Sequence, residues 1–200
     1  WIDNNKIQKQ VLFLDSHSDI NICFTNRLAI DSEDVIGFQP FYSESNCIFS
    51  VSDVIRNGGS FISTPSILIR KSVCESLPTW FYKAPVGDFY LQFLGALKGG
   101  AGYINSVSCI YRVNSAGSWS SGDSNKHILT HRLRTNAIYS VLINSYPTYK
   151  RDFFYISSKA TFFSLIKLLK KRGVIHSLKL VISYIKFIFL SKKEHPVRKC

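Results

Sequence analysis

The sequence predicts an α/β fold, because β-rich apolar segments alternate with helical patterns over its first 113 residues and glycines or prolines punctuate the changes. Ile20 to Thr25 (INICFT) reads as a buried strand. Phe61 to Arg70 (FISTPSILIR) reads as an extended segment entering a strand, since Pro65 forbids a helix through it. Tyr103 to Val113 (YINSVSCIYRV) is β-rich. Hydrophobic residues make up 46% of the 200-residue chain, enough for a core, so disorder is not expected.

Taken in order, Asp3 is placed to cap a helix in which Ile7, Gln10, Val11 and Leu14 recur at helical spacing, ending near Ser16. The strand follows, then Arg27 to Glu44, polar and acidic with Gly37 and Pro40, as a long surface loop. A short helix over Ser52 to Asn57 stops at Gly58-Gly59. After Asp88, residues Tyr90, Phe93, Leu94 and Leu97 mark the apolar face of a helix that Gly99-Gly100 ends. From about Asn125 the pattern is helical to the end, with Pro147 and Gly173 as breaks.

The net charge of +12 is unevenly placed. Residues 1–149 carry 12 Lys/Arg against 11 Asp/Glu, whereas residues 150–200 carry 13 against Asp152 and Glu194. In the last helical stretch His176, Lys179, Ser183 and Lys186 form a narrow polar stripe amid Val181, Ile182, Tyr184, Ile185, Phe187, Ile188 and Phe189. Lys179 and Lys186 interrupt any run of the roughly 20 apolar residues that a membrane span needs. An interfacial helix whose lysines reach anionic headgroups fits the pattern; a core helix packing on a further part of the protein is the alternative. Nucleic-acid binding is disfavoured, because the lysines alternate with large aliphatic residues where an exposed basic face with stacking aromatics is needed.

Five widely spaced cysteines without a Cys-x-x-Cys pair argue against a disulfide framework or a zinc site and suit a reducing cytosol. His127 and His131 stand four apart with no third ligand evident, so a solvated helix face is expected there. Gly99, Gly100 and Gly102 lack the Lys-Ser/Thr of a phosphate loop and read as a helix end. The chain contains no methionine and opens on Trp-Ile-Asp, which reads as a fragment lacking its natural N-terminus.

Asp88, taken alone, is a helix N-cap. Its surroundings give it a second role. The run from Trp80 through Gly87-Asp88-Phe89-Tyr90-Leu91, the Gly99-Gly100 break, Gly102-Tyr103-Ile104 and Tyr111-Arg112-Val113-Asn114-Ser115-Ala116-Gly117-Ser118-Trp119-Ser120 resembles the C-terminal half of family 2 glycosyltransferases of the GT-A fold, of the bacterial cell-surface polysaccharide type. Trp1-Ile2-Asp3 with Lys6-Ile7-Gln8-Lys9-Gln10-Val11, Phe24-Thr25, and Thr64-Pro65-Ser66 with Arg70 resemble earlier family motifs. The likeness covers residues 1–121 as the C-terminal part of the GT-A domain; residues 122–200 form a helical, basic tail, expected to be membrane-associated.

The resemblance implies inverting transfer of a sugar from a nucleotide-sugar donor to an acceptor hydroxyl, glycan or lipid-linked, with Asp88 as the base. A nucleotide diphosphate is a leaving group whose charge a divalent ion, Mg²⁺ or Mn²⁺, can stabilise, so one carboxylate suffices, whereas glycoside hydrolysis needs two. Arg112, Trp119, Thr64, Ser66 and Trp80 are the implied substrate-binding residues; Trp80, with Phe81 and Tyr82, reads more readily as a hydrophobic loop anchor than as a stacking platform for an acceptor sugar. The family's paired metal-binding aspartates would precede Trp1, and Asn114, whose carbonyl is a weaker oxygen ligand for the metal, stands where the family usually has histidine. The implied setting is the cytoplasmic face of the plasma membrane, in surface polysaccharide assembly. A non-catalytic membrane-associated scaffold is the alternative.

Overall fold

The computed structural model describes residues 1–31, 33, 37, 40–113 and 124–192, leaving aside the side chains of 124–127, 171–173 and 190–192. The chain forms two bodies. One comprises Trp1–Pro78 and Val86–Gly122, the other Thr79–Pro85 and Asp123–Cys200.

The first body is α/β, built as α1 (Lys6–Ser16), β1 (Ile22–Ile30), β2 (Cys47–Phe49), α2 (Val51–Asn57), β3 (Ile67–Ile69), α3 (Lys71–Glu75), α4 (Gly87–Ala96) and β4 (Ala101–Arg112). The sheet order is β2-β4-β1-β3, with β1 and β4 parallel at the centre and both outer strands antiparallel. The central strand is longer than expected. Arg27–Ile30, read from sequence as surface loop, extends β1 against Cys109–Arg112 of β4, and Ala29 and Ile30 are buried. The polar residues Asn26 and Arg27 hid this continuation: Asn26 donates to the Pro40 carbonyl at 2.7 Å, and the Arg27 guanidinium lies over the Tyr111 ring.

Side chains alternate across the sheet as the strand period requires. Cys23 and Ile104 join Phe13, Leu14 and Ile20 under α1. On the other face Phe24 and Tyr103 pack with Tyr42, Phe49 and Phe61 in an aromatic cluster with centroid separations of 5.1–6.4 Å. Burial there pushes the Tyr42 hydroxyl up to about 12. Burial likewise pushes the Cys23 thiol up to about 12, so it stays protonated.

The helix α1 presents a different face from the one expected. Gln10 and Leu14 are buried as foreseen, but Ile7 and Val11 are exposed, and their places in the stripe belong to Lys6 and Phe13. Positions 6, 10, 13 and 14 are the i, i+4, i+7, i+8 set of one helical face. Asp3 does not cap the helix in the expected way: Asn5 is the N-cap residue, and the Asp3 carboxylate accepts from the Asn5 N–H at 2.9 Å and from Lys9 at 2.7 Å. The hydrogen-bonded Lys9 ammonium, foremost, holds the Asp3 carboxyl below its ordinary value.

Helix α4 runs into β4 through Gly100, whose φ of +97° favours glycine. At Gly102 the α1 face closes on the sheet so tightly that a Cβ would meet the Phe13 ring at 2.1 Å.

The second body is helical. It contains α5 (Ser124–Ser145) and α6 (Lys150–Lys192), joined by a turn at Pro147–Tyr149 where a break was expected. α6 is helical throughout, yet its ends meet: the Ser158 and Tyr184 hydroxyls are hydrogen-bonded and the Phe154 and Phe187 rings lie 5.3 Å apart. A straight helix would separate residues 158 and 184 by about 39 Å, so the chain doubles back between them; Gly173, expected as a break, lies within the helix. The first arm packs on α5 around buried Asn136, whose amide accepts from Ser157 at 3.0 Å and donates to Thr161 at 3.3 Å.

Two outcomes are expected. Gly102→Ala forces the Phe13 ring aside and lowers stability by about 1–3 kcal/mol in urea unfolding, with the midpoint shifted. Burial, then Arg132 and Arg134, hold His131 below its ordinary 6.5. The unfolded chain therefore binds the proton first, and stability falls as pH drops below about 6.5. His131→Gln flattens that dependence in thermal unfolding followed from pH 7.5 to pH 5.

Candidate functional site

Asp88 is exposed in the first turn of α4, one residue inside the helix, whose N-cap residue is Val86. The capping expectation is corrected: Asp88 makes no N-cap hydrogen bond, and its Oδ2 accepts from the Thr64 hydroxyl at 2.7 Å. Oδ1 has no partner among the described residues. The first turn still places the carboxylate at the positive end of the helix dipole.

Thr64 is held by a route that the sequence did not reveal. Thr64–Ser66 forms a single 3-10 turn with Pro65 inside it, leading into β3. The Ser66 hydroxyl is fully buried and donates to the Ser63 carbonyl at 2.7 Å, closing the turn. Ser66, expected to bind substrate, is thus a support of the turn. From α1, Lys6 Nζ donates to the Pro65 carbonyl at 3.1 Å and Gln10 Nε2 donates to the Ser66 carbonyl at 2.9 Å.

Lys6 is 1% exposed, and burial lowers its pKa; its ammonium also lies 4.2 Å from the centre of the Trp1 ring. Lys6 and Gln10 are the positioning residues that sequence reasoning missed. Their signal was present in the 6, 10, 13, 14 spacing, but a lysine and a glutamine are ordinarily assigned to the wet face of a helix. Arg70 performs the same service at the far end of α1, donating to the carbonyls of Leu14 and Ile20.

Strand register places this cluster along β1. Phe24 of β1 faces Ile67 of β3 in antiparallel register, so Thr64 lies toward the C-terminal half of β1. α4 feeds β4 through a short turn. Ligand crevices of open α/β sheets form outside the carboxyl ends of the strands.

Arg112, also expected in the site, ends β4 and is exposed, with its guanidinium donating to the Asp31 carbonyl at 3.1 Å. Trp80 groups with the second body, where its ring lies 6.3 Å from that of Phe81. Asn114 and Trp119 lie outside the described residues.

Chemically, the arrangement offers one oriented carboxylate with an oxygen open to accept a proton from a hydroxyl. It does not by itself fit a divalent cation, which takes about six oxygen ligands. Among the described residues no group of three or more His, Cys, Asp or Glu could hold a metal ion. Comparison with family models, with curated proteins and with solved structures finds no match.

Gln10→Leu removes the donor to the buried Ser66 carbonyl. A loss of about 1–3 kcal/mol in chemical unfolding is expected, and weakened protection of the Ser66 and Ile67 amides in hydrogen exchange locates the damage.

Proposed function

We propose that this chain belongs to an inverting glycosyltransferase of the GT-A type, taking a sugar from a nucleotide-sugar donor to an acceptor hydroxyl, with Asp88 as the general base. The observation that carries the reading is the 2.7 Å hydrogen bond from Thr64 to Asp88, because it joins two of the motifs on which the family resemblance rests. Lys6 and Gln10, in a third motif, dock the turn that carries Thr64. Motifs far apart in sequence converge on one exposed carboxylate, and a shared role in one site accounts for that.

The base needs a free lone pair facing the acceptor and a fixed orientation. Thr64 supplies the orientation by occupying Oδ2, which leaves Oδ1 for the acceptor proton. Arg112, at the carboxyl end of β4, is assigned by the family resemblance to the diphosphate. No step here depends on a metal.

A non-catalytic scaffold is favoured by a separate observation, the exposed apolar face of the helical body. Two substitutions distinguish the readings in the protein as the cell makes it, assayed with labelled nucleotide sugars and bacterial membranes as acceptor. Asp88→Asn lowers transfer 10²- to 10⁴-fold with an unchanged circular dichroism spectrum. Thr64→Val lowers kcat about 3- to 10-fold at constant donor KM, the equivalent of one hydrogen bond, and Thr64→Ser restores it. Equal transfer by wild type and Asp88→Asn overturns the assignment and leaves the scaffold.

A further inference from the structure

The second arm of α6 has three faces. Leu180 and Phe187 are buried, and Tyr184 meets Ser158 of the first arm. His176, Lys179, Ser183 and Lys186 form the polar stripe read from the sequence. Between them lie Val174, Ile175, Leu178, Val181, Ile182, Ile185 and Phe189, all exposed, with Ile175 at 69% and Phe189 at 67%. Their spacing at 100° per residue confines them to an arc of about 120°, edged on one side by Lys179 and Lys186.

This is no helix half-buried in a core. Its core-facing side is already filled by the first arm, and the apolar arc is an additional surface. The first arm is similar in kind: it exposes Tyr155, Phe162, Phe163 and Leu169, with the Lys159 ammonium 5.7 Å from the Tyr155 ring centre.

The geometry points to the α6 hairpin as a monotopic membrane-binding element, lying in the interface of an anionic bilayer with the Val174 to Phe189 arc toward the acyl chains. Charge selects this occupant. Residues 150–192 carry ten Lys/Arg against Asp152 alone, and lysines bordering an apolar arc can bury their stems while their ammonium groups reach phosphates. Two copies of so basic an element repel each other, which counts against self-association. An RNA would have no use for seven exposed aliphatic and aromatic side chains at helical spacing. No helix of the described residues is long and apolar enough to cross a membrane, so the element lies on the bilayer. The inference is independent of the chemistry at Asp88.

The test is flotation of the 200-residue chain with vesicles of phosphatidylcholine alone or with 30 mol% phosphatidylglycerol. Wild type is expected to float with the anionic vesicles and to remain in solution with the neutral ones, with binding weakened by 0.5 M NaCl. Lys179→Gln/Lys186→Gln binds on the order of tenfold more weakly. Leu178→Glu/Ile182→Glu/Ile185→Glu, all at exposed positions and so compatible with folding by circular dichroism, loses binding altogether.

Equal binding to both vesicle types overturns the inference, as does undiminished binding by the triple glutamate variant. Light scattering that finds a wild-type dimer and a monomeric glutamate variant assigns the face to a second copy instead. Tighter binding to a fluorescent oligonucleotide than to anionic vesicles, unaffected by the glutamates, assigns the element to nucleic acid.

Discussion

The two hydrogen bonds from Lys6 and Gln10 to the carbonyls of Pro65 and Ser66 are the constraint on which the first body turns. Pro65 contributes no N–H, and the turn it occupies is one residue short of any strand pairing, so its carbonyls need donors from elsewhere. α1 supplies them, and in doing so fixes the height of the turn above β1. That height decides where Thr64 stands, and Thr64 decides how the Asp88 carboxylate is aimed. A buried lysine is costly unless its charge is used. Here it is used on a backbone carbonyl and an aromatic ring.

Much of the fold was legible because the segments concerned announce themselves twice, by period and by punctuation. The helix after Asp88 has both an apolar face and a glycine stop, and both appear at Gly87–Ala96 with Gly100. The strand entered after Pro65 was likewise readable and appears at Ile67–Ile69, but Thr64–Ser66 forms a 3-10 turn where an extended segment was expected. The failures have a common cause. Arg27 and Asn26 made a central strand look like a loop, and Lys6 made a core face look wet, because polar residues whose partners are backbone carbonyls or ring faces distant in sequence carry no local sign of burial. The short strand Cys47–Phe49 exists by pairing with Ala101–Tyr103 and has no periodicity of its own length to reveal it.

Only part of the candidate site was legible in the sequence. Asp88 and Thr64 were both singled out from sequence, but their contact spans 24 residues and no local rule predicts it. Ser66 illustrates the opposite error: a hydroxyl beside a site residue was read as a substrate contact, whereas its geometry spends it on the Ser63 carbonyl. The helical body divides in the same way. Its wide apolar surface was evident from composition, while the fold-back of α6, which separates a packed apolar face from an exposed one, needed the contacts of Phe154 with Phe187 and Ser158 with Tyr184.

The most direct test of the central claim, that Asp88 is the base toward an acceptor hydroxyl, is a crystal structure of the intact protein with acceptor and a non-transferable nucleotide-sugar analogue. The account predicts an acceptor hydroxyl about 2.6–3.2 Å from Asp88 Oδ1, with the Thr64 bond to Oδ2 retained. An acceptor bound away from Asp88, or a carboxylate turned to pair with protein on both oxygens, contradicts it.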